Sequence, residues 1–226
     1  MNRIDAVSLV EEVVGRYPAT KVVLSRYGLD AYEEAESSRQ SVSRFAEDRG
    51  MPVEWLLEEL NRVVDISLQE PPPTSFLSLL ETHEWLDELF LLYQEALLAG
   101  NLSLALELLE KVEAEQREHI RIEEEILLPV YERAGEIPGG KPEFYLNEHK
   151  KMLGILDGFK EAMPRLIREG SDENRRGVIE LFDQGYWFKR LHEHHDQREK
   201  NILYPVLDRV TSEEERDQLL KECFPE

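Results

Sequence analysis

Two stretches of the chain place the same cation-binding side chains at the same spacing. His119-Ile-Arg-Ile-Glu123-Glu-Glu-Ile126-Leu127-Leu128-Pro129 overlays His195-Asp-Gln-Arg-Glu199-Lys-Asn-Ile202-Leu203-Tyr204-Pro205. Each reads histidine, glutamate at +4, apolar residues at +7 and +8, and proline at +10. With 11 prolines in 226 residues, a shared offset by chance is improbable, and an internal repeat is the natural explanation. On a helix, residues i and i+4 share a face about 6 Å apart, so each pair can aim at one point. Imidazole nitrogen with carboxylate oxygen suits iron, manganese or zinc, and a carboxylate can bridge two metals. Proline inside a helix costs about 3 kcal/mol, so its repeated placement predicts a kink or a helix adjustment that shapes each motif.

These motifs need helices to carry them, and helical periodicity runs through nearly the whole chain. The triple proline Pro71-Pro72-Pro73 marks a boundary between a small helical domain over 1–70 and a four-helix bundle over 74–226. Before the prolines the pattern predicts short helices over Ile4–Arg16, Thr20–Tyr27, Ser41–Arg49 and Pro52–Val64, with a Glu- and Ser-rich loop from Asp30 to Ser38. After them it predicts long helices over Phe76–Leu98, Asn101–Arg133, Glu143–Arg168 and Asp172–Arg209, stopped by Gly100, Gly135 and Gly170. Thr211-Ser212-Glu213-Glu214 reads as a capping box for a short last helix ending near Glu222. The expected fold class is all-α, an antiparallel four-helix bundle preceded by a small helical domain.

All six histidines lie between positions 83 and 195. His83, among Leu79, Leu80, Leu86 and Phe90, and His149, among Leu146, Leu153 and Leu156, sit on the apolar stripes of the other two long helices. The set then closes, with His83, His119, His149 and His195 as terminal ligands and Glu123 and Glu199 as bridges. His192, one turn before His195, reads as an extra ligand, a partner behind the ligands or, more simply, a surface residue. Tyr204 sits beside Pro205, where it can approach the metals, but its repeat counterpart is Leu128. Trp85, Tyr186, Trp187 and Phe188 read as core packing, Glu124 and Glu125 as solvent-facing, and Cys223 as incidental.

Composition bounds the function. Hydrophobic residues make up 41% and charged residues 33%, enough for a packed core. The net charge of −21 excludes unaided binding to nucleic-acid phosphates. One cysteine cannot make an internal disulfide or a cysteine-based metal site. No apolar run of about 18 residues occurs, so no membrane span is expected. Asp5, Glu11 and Glu12 argue against an amino-terminal signal peptide, which leads to an expected cytoplasmic location.

The order His…His-x-x-x-Glu…His…His-x-x-x-Glu on four helices resembles the hemerythrin-like, or HHE cation-binding, domain over about residues 75–209. That resemblance implies two non-haem irons with an oxo or hydroxo bridge, manganese or zinc being the alternatives. The oxygen carriers of this class have a further histidine where this chain has Leu153, and an aspartate where it has Lys200. Four histidines and two glutamates instead resemble the iron-centre repair family, tied to nitrosative stress and mending of iron–sulfur clusters. Residues Val22–Asp30, Arg44–Glu47 and Trp55–Leu60 are similar to the small domain of that family, whose cysteine pair is replaced here by Asp30-Ala31-Tyr32-Glu33-Glu34. By the same resemblance Glu115 and Glu148 would line a path to the metals, or else they are ordinary solvated glutamates.

The expected function is binding of a small diatomic, NO or O2, or donation of iron in a stress response. The alternatives are an oxygen or redox sensor signalling through residues 1–70 and a di-iron peroxidase or oxidase. Expected partners are the diatomic or peroxide, with an iron–sulfur protein or an electron donor. An oxidoreductase is the only enzyme class indicated, because no acid–base pair stands apart from the ligands.

Overall fold

The structure, a computed structural model, describes residues 3–29, 39–68, 72–168 and 171–224. Every extended element among them is helical. The helices are α1 (Val10–Arg16), α2 (Thr20–Arg26), α3 (Val42–Asp48), α4 (Val53–Ser67), α5 (Leu80–Leu98), α6 (Leu102–Ile122), α7 (Leu128–Tyr131), α8 (Pro142–Arg168), α9 (Ser171–Arg198), α10 (Tyr204–Val210) and α11 (Glu213–Cys223). Asp30 to Ser38, the expected loop and the site of the missing cysteine pair, lies outside the described residues, as does the stop at Gly170.

Contacts divide the chain into two compact units, one of residues 1–77, 130–141 and 197–222, the other of 78–129, 142–196 and 223–226. In the first unit α4 packs against α2, α3, α10 and the turn before α10. Buried Val22, Val23, Phe45, Leu56, Leu60, Ile202, Val206 and Leu207 supply its core residues. The Asn61 amide ties the start of the chain to α4, accepting from the Ile4 N–H at 3.1 Å and donating to its carbonyl at 3.0 Å. That amino-terminal segment is not part of α1. Asp5 accepts hydrogen bonds from the Val7 and Ser8 N–H groups and the Ser8 hydroxyl, and this local turn delays the helix to Val10.

In the second unit α5 packs on α6 and α6 on α8. Phe90 and Phe188 bring α9 to α5 with ring centroids 4.7 Å apart, completing the four-helix bundle. Leu97, Leu109, Met152, Phe159 and Leu181 fill its interior. Asn101 caps α6 by accepting the Leu104 N–H at 3.3 Å, and Gly100 ends α5 at φ +70°. Trp85, Tyr186 and Trp187 are exposed, contrary to their reading as core residues, while Phe188 is buried. The bundle stripe around Phe188 is already filled by Phe90 and Phe159, and the neighbouring positions of α9 turn outward.

Both long motif helices are interrupted where their repeated prolines fall. Glu123–Leu127 and Glu199–Leu203 are π-helical turns, closed by Leu128 N–H to the Glu123 carbonyl and Tyr204 N–H to the Glu199 carbonyl. Pro129 and Pro205 cannot donate to the carbonyl four residues back and would clash with it, and a widened turn relieves both problems. The single helices expected over Asn101–Arg133 and Asp172–Arg209 are therefore each a longer helix, a π-turn and a short helix. The final cap is also shifted by one residue. Ser212 accepts the Glu215 N–H, whereas the Thr211 hydroxyl donates back to the Leu207 carbonyl.

Candidate metal centre

Five of the six predicted ligands lie within the second unit, and all five are buried. His83 Nε2 stands 3.1 Å from His119 Nε2, making one pair between α5 and α6. His149 Nε2 stands 3.3 Å from His195 Nε2, making a second pair between α8 and α9. Glu123 addresses both. Its Oε1 is 3.6 Å from His119 Nε2, and its Oε2 is 2.9 Å from His149 Nε2 and 3.4 Å from His195 Nε2. One carboxylate thus offers one oxygen to each histidine pair, as a bridging ligand does. Glu199 follows His195 by four residues in the same motif and is fully buried. The Tyr204 hydroxyl, also buried, donates to Glu199 Oε2 over 3.4 Å.

The outer nitrogens of the histidines explain why a cation fits here. His149 Nδ1 is 2.8 Å from Glu124 Oε1, His195 Nδ1 is 3.1 Å from Glu148 Oε2, and His83 Nδ1 is 3.3 Å from Asp196 Oδ1. An ionised carboxylate only accepts, so the Nδ1 atoms of His149 and His195 carry the proton and their Nε2 atoms are left with bare lone pairs. Those lone pairs then converge on one another and on Glu123, an arrangement that repels itself unless a cation sits among them. Two ligands each about 2.1 Å from a common ion stand about 3.0–3.4 Å apart, close to the separations found. Burial also presses the His83 pKa below the ordinary imidazole range, against the opposing charges of Asp196 and Glu123, which favours the neutral, ligating form.

A family model for the hemerythrin HHE cation-binding domain matches residues 77–207, more than half of the chain. The chain belongs to the hemerythrin HHE cation-binding domain family. No curated protein and no solved structure matches it. Membership makes this a metal-binding bundle of a kind that typically holds iron, and the two clusters of histidine and glutamate are where an ion can be held. Among the described residues no helix is long and apolar enough to cross a membrane.

In the HHE bundle the remaining predicted residues fall as follows. Glu115 lines a cleft of roughly 290 Å3 that reaches His119 and Glu123. Apolar Leu79, Trp85, Leu127 and Phe224 line it together with acidic Glu81, Glu115 and Glu118, and buried Cys223 lies there too. Glu148 faces His195, as above, and stands 3.6 Å from His194 Nε2. His192 is buried, not on the surface. Its Nδ1 lies 3.4 Å from Asp87 and 3.6 Å from Asp196, and its ring stacks on Phe188. Burial presses its pKa down, but the hydrogen bond with Asp87 and the charges of Asp196 and Asp87 carry it above the ordinary value. Glu124 faces solvent in part, yet its carboxylate is held by His149.

The sequence reading missed Asp196, Asp87 and the pairing of Glu124. It also passed over Gln116, three residues before His119 and so on the same face, whose buried amide has no hydrogen-bond partner among the described residues. The signal available for Glu124, Glu148 and Asp196 was adjacency, since each stands next to a predicted ligand in the chain.

Proposed function

We propose that this chain is a non-haem di-iron protein that binds a small diatomic molecule, NO or O2, in a nitrosative or oxidative stress response. His83, His119, His149 and His195 would be terminal ligands, with Glu123 and Glu199 as the bridges. The observation that carries this reading is Glu123, one buried carboxylate with an oxygen toward each of two histidine pairs. The four histidines and two glutamates would hold a pair of iron ions with room for a small molecule, and that pair, when ferrous, would supply reducing electrons. The cleft reaching His119 and Glu123 is too small for a large organic substrate but ample for a diatomic.

Its acidic residues favour a second reading, release of iron to a damaged iron–sulfur protein. Glu81, Glu115 and Glu118 would ease a cation along the cleft more than a neutral gas. Iron analysis and an optical spectrum of the full chain test the centre itself. Two irons per chain with charge-transfer absorption are expected, and His119→Ala and Glu199→Ala should each lose iron. Full iron occupancy in both variants would overturn the assignment. Anaerobic titration of the ferrous protein with NO then separates the readings. Stoichiometric binding with iron retained supports the first, and loss of iron to an apo-acceptor without NO binding supports the second.

A further inference from the structure

Each histidine with a carboxylate behind it takes that carboxylate from a different helix, and always from the residue next to another predicted ligand. Glu124, beside Glu123 at the end of α6, holds His149 of α8. Glu148, beside His149 on α8, holds His195 of α9. Asp196, beside His195 on α9, stands at ion-pair distance, 3.3 Å, from His83 Nδ1 of α5. Successive helical residues point about 100° apart, so when a ligand faces the bundle axis its neighbour in the chain faces the adjoining helix. Glu124 and Glu148 therefore each fix, by a hydrogen bond, a ligand carried by the adjoining helix.

We propose that Glu124 and Glu148 are positioning residues that lock His149 and His195 in the Nδ1–H tautomer, turning Nε2 toward the metals and raising its donor strength. The inference rests on the di-iron reading and deepens it. A histidine flipped to the other tautomer presents N–H to a cation.

The test compares the full-length protein, loaded with ferrous iron, against Glu148→Ala, Glu148→Gln and Glu124→Ala, with Glu47→Ala, an exposed carboxylate paired with Arg44, as a surface control. The rate of iron loss to a chelator should rise roughly ten- to hundred-fold in the alanine variants, with Glu148→Gln intermediate because its amide oxygen still accepts the Nδ1 proton. Nitrogen-15 spectra of the metal-free proteins should show His195 losing its Nδ1–H preference in Glu148→Ala and keeping it in Glu148→Gln, a change that mere loosening of the bundle does not produce. Alanine variants with wild-type helicity, iron-loss rates within twofold of wild type and unchanged tautomers would overturn the inference. Should an alanine variant fail to fold, the glutamine variant and its tautomer decide in the same way. A wild-type protein that takes up no iron would instead overturn the proposed function, while the tautomer spectra still judge Glu124 and Glu148.

Discussion

At the scale of single residues, Glu123 does more than any other side chain. It joins the His83–His119 pair to the His149–His195 pair, one carboxylate oxygen toward each. Glu123→Ala should therefore strip both irons. His83→Ala removes a ligand from one pair only and should leave one iron per chain at the His149–His195 side. Metal analysis of the purified variants checks both, and equal iron in the two would show that the pairs are not joined through Glu123. This residue was legible beforehand, because a doubled four-residue spacing is a property of the chain alone. The carboxylates behind the histidines were not, because a glutamate among three consecutive glutamates looks like any solvated one until the neighbouring helix is placed.

At the scale of elements, the repeated proline and the π-turn are cause and consequence. The first residue of each π-turn is the motif glutamate, so the widened turn sets the direction in which its carboxylate leaves the helix. Pro129→Ala should restore an α-helical hydrogen bond and stabilise the metal-free protein, by some part of the roughly 3 kcal/mol that proline costs within a helix. The same change should weaken iron binding by re-aiming Glu123. A raised melting temperature without metal, together with faster iron loss, is the expected pair of results.

The bundle helices carry a pH-dependent tie as well. Glu113 of α6 accepts from Lys160 of α8 and from Arg117, which reaches Asp157 at 3.0 Å. Burial raises the Glu113 pKa, but these two cations outweigh it and hold the carboxyl below its ordinary value. A carboxyl with a depressed folded pKa adds stability above its unfolded value of about 4.3, and that stability is lost as pH falls through the folded value. Glu113→Gln should thus destabilise the protein at pH 7 by on the order of 1 kcal/mol, and the gap from wild type should fade in melting curves taken below about pH 4.

At the scale of the molecule, the bundle interior holds ligands at one level and aromatic packing at another. Phe90, Phe159 and Phe188 meet within the same four helices that present the histidines. Buried imidazoles and carboxylates without a cation are a cost to the fold, so metal binding and folding are linked. A cation that binds the folded chain alone adds about 4 kcal/mol at a thousand times its dissociation constant. Iron-loaded protein should melt well above the metal-free form by calorimetry, a chelator should reverse the gain, and Glu123→Ala should show neither effect. A melting temperature indifferent to metal would mean that the clustered ligands are satisfied without one.

Sequence by itself determined the helical class, the caps at Asn101 and Gly100, and the six residues proposed as ligands, since helical period, chain-breaking residues and repeated spacing are all local properties. It also placed an adjustment of the helix at each repeated proline without giving its form. Only the tertiary structure decided which carboxylate stands behind which histidine, that His192 is buried while Trp85 and Trp187 are not, and that residues 130–141 and 197–222 join the amino-terminal helices in one compact unit. Those facts depend on which helix lies beside which and at what rotation. Such relations arise from packing between segments far apart in the chain, and no spacing within a single segment encodes them.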